Sequence, residues 1–263
     1  MSKTVLVFDS GVGGLSIYEP IRQQLPELNF LYAFDNACFP YGELSESRLV
    51  ERCCQVITAV LARHPVDLVV IACNTASTHV LPTLRPMLSI PVVGVVPAIK
   101  PAASATSNGC IGLLATPGTI ARPYTQRLIQ EFAAHHRVLL CGTTELVVQA
   151  ERKLMGLEVE LPVLTEVLAP WQQGEQKPDT LVLGCTHFPL LKQEIAALLP
   201  DVTLVDSGAA VAQRVCHLLG AQSVSSQKKI SRAYCTRDDD KAARLRPTLQ
   251  AYGFDSLTCL AVS

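Results

Sequence analysis

The amino-acid sequence predicts an α/β fold with two pseudo-symmetric domains, mainly parallel sheets flanked by helices, and a site in the cleft between the domains. Short apolar runs alternate with longer segments of helical periodicity along the chain, a pattern typical of βαβ units. The mean hydropathy of +0.28 is high, as expected when strands are buried on both faces of a parallel sheet. A strand motif that occurs twice supports the two halves.

Eight apolar runs are predicted to form strands, and turns or helical segments follow them. These runs lie at 5–8, 30–34, 67–72, 91–96, 110–115, 137–141, 180–184 and 203–205. The clearest helix is predicted from Ser45 to about residue 63, because serine is a favourable N-cap and apolar residues then recur at helical spacing. Another helix is expected to follow the turn at 116–119 and to continue to about residue 135.

The repeated motif is a strand that ends in a cysteine. Residues 67–75 and 179–187 each contain Asp, a five-residue run ending in a small residue, Cys and two polar residues. Ligands of parallel sheets bind at the carboxyl ends of strands, so we expect Cys73 and Cys185 on opposite sides of one cleft. We therefore predict a discontinuous domain of residues 1–97 and 206–263, which carries Cys73, and a second domain of residues 98–205, which carries Cys185.

Composition and charge exclude several classes of protein. The chain has 263 residues, of which 49% are hydrophobic and 17% charged, so it can form a folded core. A net charge of −1 provides no basic surface for nucleic acid as the main partner. No apolar stretch reaches the roughly 18 residues of a membrane span. The first strand follows Met1 closely, without the pattern of a signal peptide.

Two of the ten cysteines are candidate chemical groups. The cysteine content fits a reducing cytoplasm, and no Cys-x-x-Cys pair suggests a metal site. Cys73 and Cys185 each lie where a strand gives way to a helix, and backbone N–H groups at such a position lower the pKa of a thiol. Inverting a carbon stereocentre requires a proton to leave one face and another to arrive on the opposite face. Two opposed thiols can do this without a metal.

Other residues near these cysteines could assist proton transfer. His187 lies two residues after Cys185 and could exchange a proton with it, although a structural histidine would also fit. Asp9 ends the first strand and could serve the Cys73 side in the same way, or act as an N-cap.

Polar residues at the predicted strand-to-helix turns could hold the carboxylates of a small substrate. They are Ser10, Asn74, Thr75, Thr116, Thr119 and Thr186. The glycine-rich run 11–14 matches neither dinucleotide nor P-loop signatures, and it is interpreted as a turn whose backbone N–H groups approach an anion. The loop Pro40, Tyr41 and Gly42 could close over the cleft, or be an ordinary turn.

Six segments together resemble the glutamate racemase family of the aspartate/glutamate racemase superfamily. They lie at 7–15, 39–42, 72–77, 94–98, 112–116 and 183–190, and they follow the order of the family. The motif Leu-Gly-Cys-Thr-His-Phe-Pro-Leu at 183–190 is highly specific. The resemblance implies two α/β domains with the site between them. It also implies interconversion of L- and D-glutamate without pyridoxal phosphate or metal, in the cytoplasm, where D-glutamate feeds peptidoglycan synthesis.

The resemblance also assigns roles to individual residues. It implies that Cys73 deprotonates D-glutamate and Cys185 deprotonates L-glutamate. Asp9, His187 and Glu151 would assist, and Glu145 is the competing candidate for the last role. The residues implied to bind substrate are Ser10, Pro40, Tyr41, Gly42, Asn74, Thr75, Thr116, Thr119 and Thr186.

A regulatory partner is also suggested by the resemblance. Some members of the family are activated by UDP-N-acetylmuramoyl-L-alanine, and in those an extension precedes the first strand. In this sequence that extension is a few residues long, so activation is kept as a hypothesis.

Three other functions remain open from the sequence. A racemase of a different amino acid, such as aspartate, would use the same scaffold. A two-lobed α/β protein that binds a small ligand would leave the thiols without a role. A thiol hydrolase with one nucleophilic cysteine would leave the second motif unexplained.

Overall fold

The chain forms two parallel β-sheets flanked by helices, as the sequence predicts. The computed structural model describes residues 2–172, 177–220 and 229–262, and the strands within these ranges form one six-stranded and one four-stranded sheet. In spatial order the first sheet contains β10 (Ser256–Cys259), β9 (Ser231–Cys235), β2 (Asn29–Phe34), β1 (Thr4–Asp9), β3 (Leu68–Ile71) and β4 (Val92–Gly94). The second contains β6 (Arg137–Gly142), β5 (Cys110–Ala115), β7 (Thr180–Leu183) and β8 (Thr203–Val205).

The strand pairs of both sheets run parallel. In the first sheet Val5 lies opposite Phe30 on one side and Leu68 on the other. In the second sheet Ile111 lies opposite Val138 and Thr180. All strand carboxyl ends of a sheet therefore meet at one edge, where parallel sheets place their ligand sites.

The helices cover the faces of the sheets. They are α1 (Leu15–Gln24), α2 (Glu46–Leu61), α3 (Asn74–Met87), α4 (Ile99–Ala105), α5 (Pro117–Ile120), α6 (Pro123–Phe132), α7 (Glu145–Leu154), α8 (Leu161–Gln172), α9 (Lys192–Leu198), α10 (Gly208–Leu219) and α11 (Asp240–Ala251). Short 3-10 turns lie at Asn36–Cys38, Tyr41–Glu43 and Phe188–Leu191. None of the helices in the described ranges is long and apolar enough to cross a lipid bilayer.

Both faces of β1 are buried, which explains its continuous apolar run. Val5 and Val7 belong to the core cluster on one face, and Leu6 and Phe8 to the cluster on the other. All four side chains have no exposed surface. A parallel sheet with helices on both faces needs such residues.

The predicted helix at 45–63 is confirmed as α2, and its predicted N-cap is present. The Ser45 hydroxyl accepts a hydrogen bond from the Arg48 backbone N–H at 3.4 Å. The helix predicted to follow the turn at 116–119 is confirmed as α6, which ends at Phe132 rather than near residue 135, and the turn itself forms the separate short helix α5. Pro123 begins α6, and Arg122 before it is extended with φ −71° and ψ 133°, since a residue preceding proline disfavours helical backbone.

The carboxyl-terminal strands join the first sheet. β9 pairs with β2, so that Phe30 lies opposite Ser231, and β10 forms the edge beyond β9. Helix α10 packs against α1 on the same side. The domain boundaries predicted at residues 97 and 206 stay a prediction.

Candidate active site

Cys73 lies between β3 and α3 and is the N-cap of that helix. Its backbone is extended, with φ −61° and ψ 119°, and its sulfur accepts from the Ala76 N–H at 3.5 Å. The Ser10 hydroxyl lies 3.7 Å from the same sulfur. Burial, together with the nearby Asp9 carboxyl, raises the pKa of the Cys73 thiol to about 12. The resting thiol therefore carries its proton near neutral pH.

Asp9 lies at the end of β1 beneath the Cys73 side of the site. Its side chain is fully buried. Oδ1 accepts from the Ser10 backbone N–H at 2.6 Å and from the Ser10 hydroxyl at 3.3 Å, and Oδ2 accepts from the Thr186 hydroxyl at 3.0 Å. Burial raises the pKa of Asp9 above its usual value, although the hydrogen bonds and the nearby His187 oppose this. Ser10 thus connects Asp9 to Cys73.

Cys185 follows β7 and lies beside a histidine–carboxylate pair. Its sulfur is 3.8 Å from His187 Nδ1, and His187 Nε2 is 2.7 Å from Glu151 Oε1. Burial alone would lower the pKa of His187, but its hydrogen bonds to Cys185 and Glu151 raise it well above the usual value. The imidazole is therefore held in its charged form near neutral pH, next to the thiol.

Glu151 also holds the glycine-rich turn after β1. Its Oε1 accepts from the Val12 backbone N–H at 3.1 Å. The sequence predicted that this turn approaches an anion, and in the structure that anion is the protein's own carboxylate. A Cβ at Gly13 would lie 2.5 Å from His187 Nδ1 and 2.6 Å from the Thr186 hydroxyl oxygen. Glycine is therefore required here for close approach.

Both cysteines line one cavity of about 450 Å³. Its other lining residues are Ser10, Phe39, Pro40, Tyr41, Gly42, Glu43, Asn74, Thr75, Thr116, Pro117, Gly118, Thr119, Thr144, Val147, Val148, Thr186 and His187. None of these described lining residues is Lys or Arg. The wall therefore offers hydroxyls, an amide and the imidazole of His187 to an anionic substrate.

The predicted site residues divide between the cavity wall and the layer behind it. Twelve of the fourteen line the cavity, while Asp9 and Glu151 do not. Both of these instead hydrogen-bond to lining residues, Asp9 to Thr186 and Glu151 to His187. The competing candidate Glu145 contacts Thr143, whose hydroxyl is 3.5 Å from its Oε2. The roles of these residues in the chemistry stay predictions.

Several lining residues were missed by sequence reasoning. Thr144, Val147 and Val148 lie at the start of α7, a segment whose pattern is that of an ordinary amphipathic helix. Pro117 and Gly118 lie between Thr116 and Thr119, so the turn after β5 was the signal that could have found them. No group of His, Cys, Asp and Glu that could hold a metal occurs within the described ranges.

The fold and the cavity define an α/β protein in which two thiols from matching strand ends line one site. Comparison with known proteins identifies the family. A family model described as Asp/Glu/Hydantoin racemase matches residues 6–215. The glutamate racemase of Serratia proteamaculans is 54% identical over 261 residues, covering 98% of this chain and 91% of the relative. That of Pectobacterium carotovorum is 55% identical over 258 residues, covering 97% and 90%.

Solved structures agree with these relatives. Escherichia coli glutamate racemase, in complex with L-glutamate and the activator UDP-MurNAc-ala, superposes with a TM-score of 0.95 at 52% identity, covering 100% of both chains. A glutamate racemase from Bacillus anthracis has a TM-score of 0.81 at 28% identity, covering 98% of this chain and 97% of the other. The chain therefore belongs to the glutamate racemases of the Asp/Glu/hydantoin racemase family.

Proposed function

We propose that this chain interconverts L- and D-glutamate by a two-base mechanism that needs no cofactor. The observation that carries the proposal is that Cys73 and Cys185, from equivalent strand ends, line the same cavity. One cysteine, as the thiolate, removes the α-proton of the substrate. The other cysteine, as the thiol, donates a proton to the opposite face of the α-carbon. The high identity to enzymes named glutamate racemase favours glutamate over aspartate.

The surroundings of the thiols suggest how the two directions differ. With L-glutamate, Cys185 acts as the base, and the charged His187 beside it stabilises the thiolate. Cys73, whose raised pKa keeps it protonated, then supplies the proton to the carbanion. With D-glutamate the roles reverse, and Ser10 and Asp9 are placed to help Cys73 lose its proton.

Substrate binding is proposed to rely on neutral groups. The Asn74 amide donates to the Gly184 carbonyl across the site, while its Oδ1 is buried without a hydrogen-bond partner among the described residues. A buried acceptor without a partner is costly, so this oxygen suits the substrate ammonium. The paired hydroxyls of Thr116 and Thr119, 2.9 Å apart, suit a carboxylate.

The cellular setting and a regulator complete the proposal. We infer a cytoplasmic enzyme whose D-glutamate supplies peptidoglycan synthesis, as the family resemblance implies. Because the Escherichia coli enzyme was solved with the activator UDP-MurNAc-ala, we infer that the same precursor raises the rate of this chain. Racemisation measured with and without the precursor tests this, and an unchanged rate would contradict it.

The central experiment is incubation of metal-free and pyridoxal-free protein with L-glutamate in D2O. We expect the product to be D-glutamate with deuterium at the α-carbon. Optical rotation measures the change of enantiomer, and mass spectrometry measures the incorporated deuterium. A parallel incubation with L-aspartate should react far more slowly. If neither D-glutamate nor deuterium appears, with or without the muramoyl precursor, the proposal is wrong and a binding protein or another substrate takes its place.

A further inference from the structure

A buried carboxylate behind the cavity is used by none of the steps above. Asp35 follows β2 directly and has no exposed surface. Arg52 of α2, whose side chain is 6% exposed, holds it in a two-pronged ion pair. The Arg52 Nε lies 2.9 Å from Oδ2 and the Nη2 lies 2.7 Å from Oδ1. Such a planar pairing fixes the orientation of the carboxylate as well as its charge.

Two hydroxyls complete the set of donors to Asp35. The Tyr41 hydroxyl donates to Oδ2 at 2.8 Å, and the Thr236 hydroxyl donates to Oδ1 at 2.6 Å. Burial alone would raise the pKa of Asp35, but these hydrogen bonds and the Arg52 charge hold it below the usual value. The carboxylate is therefore ionised at neutral pH and can accept from every donor around it.

Tyr41 is the connection between this carboxylate and the cavity. It lines the cavity together with Pro40 and Gly42, yet its side chain is almost fully buried. Its hydroxyl is committed to Asp35 and its ring packs against Phe8, with ring centroids 6.3 Å apart. Tyr41 therefore contributes a wall that is held from behind, and its hydroxyl is engaged away from the substrate.

The cavity-wall segment Pro40–Gly42 lies close to the turn Thr116–Thr119 on the opposite wall of the cavity. A Cβ built on Gly118 would lie 4.0 Å from the Gly42 carbonyl oxygen. The turn Tyr41–Glu43, which comes after β2 of the six-stranded sheet, is thus in contact with helix α5, which comes after β5 of the four-stranded sheet. A shift of the segment Pro40–Gly42 would therefore change the distance between Gly42 and the turn Thr116–Thr119.

We propose that Asp35 is a positioning residue for substrate binding, which clamps the wall Pro40–Gly42 through the Tyr41 hydroxyl and is itself oriented by Arg52. This inference rests on the proposed racemisation of glutamate. The alternative is that the buried ion pair serves stability alone, as many such pairs do. The two differ in what happens to the Michaelis constant, KM, when the Tyr41 hydroxyl is removed and the ion pair is left intact.

The experiment compares two buried tyrosines that each donate one hydrogen bond. Tyr41→Phe removes the donor to Asp35. Tyr18→Phe is the matched control, because the Tyr18 hydroxyl donates to the Tyr252 carbonyl at 3.0 Å and lies outside the cavity. We expect similar small losses in the melting temperature, Tm. We expect KM for both glutamate enantiomers to rise about tenfold in Tyr41→Phe alone, as for the loss of one well-placed hydrogen bond, with kcat changed less than about threefold.

A second variant tests the carboxylate itself. Asp35→Asn should raise KM at least as much as Tyr41→Phe, and calorimetry should show weaker binding of D-glutamate. Should Asp35→Asn fail to fold, Tyr41→Phe still decides. A wild-type KM in Tyr41→Phe would overturn the clamp, as would a collapse of kcat at unchanged KM, since the hydroxyl would then serve the chemistry. A wild-type enzyme without racemase activity would overturn the proposed function and the clamp together.

Discussion

Cys73 and Cys185 occupy equivalent positions but differ in their electrostatic surroundings. Cys73 is buried near a carboxyl group, which raises its pKa to about 12. Cys185 lies 3.8 Å from an imidazole whose own pKa is raised by Cys185 and Glu151 despite burial. The two thiols therefore differ in their neighbours, since Cys73 lies near a carboxyl group and Cys185 lies beside an imidazole.

The first prediction concerns these thiols. Cys73→Ala and Cys185→Ala should each lower racemisation by about 10²–10⁴ or more, because each removes one of the two proton-transfer groups. Deuterium exchange at the α-carbon of one enantiomer should persist in each variant. Cys216→Ala is the control, since this exposed thiol lies on α10. Polarimetry that shows near wild-type rates in both site variants would contradict the two-base scheme.

The second prediction concerns Glu151 and the pH dependence of the rate. Because the Glu151 carboxylate supports the charged imidazole, Glu151→Gln should lower the pKa of His187. The cation is then lost at lower pH, so the alkaline fall of kcat/KM measured from L-glutamate should move to lower pH.

The matched control for Glu151 is a second glutamate of the same helix. Glu145→Gln removes a carboxylate whose described contact is Thr143, and the pH profile should not move. An alkaline limb that stays in place in Glu151→Gln would show that His187 does not depend on this carboxylate. A shift in Glu145→Gln instead would favour the competing candidate.

At the scale of the elements, the site residues lie at the carboxyl ends of strands. The two strands of the repeated cysteine motif are each preceded by an aspartate that hydrogen-bonds to a neighbouring segment. Asp67 precedes β3 and accepts from the Thr4 backbone N–H at 2.7 Å. Asp179 precedes β7 and accepts from Thr106 and Ser107 hydroxyls, at 2.6 and 2.7 Å, and from backbone N–H groups of the same turn. Each aspartate thus ties its own strand to the start of the neighbouring one.

The third prediction is the effect of Asp179→Asn on stability. Burial alone would raise the pKa of Asp179, but the hydrogen bonds from Thr106, Ser107 and Asn108 lower it. A lowered folded-state pKa gives stability that is present above the unfolded value, about 3.9, and lost as pH falls through the folded value. Asp179→Asn should therefore lower the free energy of unfolding by about 1–2 kcal/mol at pH 7.

The difference between Asp179→Asn and wild type should shrink in acid. Denaturant unfolding at pH 7 and at a pH below about 3 measures this difference in the free energy of unfolding. Asp201→Asn, at an exposed turn, is the control. A stability difference that is constant with pH would contradict the role of the ionised carboxylate.

At the scale of the whole molecule, hydrogen bonds at the site join the half of the protein built on the six-stranded sheet to the half built on the four-stranded sheet. Thr186 beside Cys185 donates to Asp9, and Ser16 of α1 donates to the Thr186 carbonyl at 2.7 Å. Glu151 of α7 accepts from Val12. The relative placement of the two thiols therefore depends on contacts between the halves.

The fourth prediction tests this connection. Ser16→Ala should lower kcat/KM about tenfold, because the turn that carries Cys185 loses a hydrogen bond that orients it. The midpoint of thermal unfolding should fall by only a few degrees. Ser104→Ala is the control, since that hydroxyl bonds within α4 to Lys100. Equal kinetics in the two variants would show that Ser16 does not position the site.

Local pattern predicted much of this molecule. The strand 110–115 was predicted with the bounds that β5 has, because a run buried on both faces is apolar throughout. β9 was not predicted as a strand, since Ser231 and Arg232 at its start interrupt the apolar pattern. Its place beside β2 follows from packing, which the pattern of five residues does not encode.

The sequence by itself determined the fold class, the two cysteine motifs and most of the cavity wall. These follow from periodicity and from residue types within a few positions of each other, which is the range over which backbone preferences act. The tertiary structure alone decided that Glu151 meets His187, 36 positions away, and that Thr236 reaches Asp35, 201 positions away. Such partners are chosen by how sheets and helices pack, because a buried charge must find its hydrogen bonds wherever the fold brings donors.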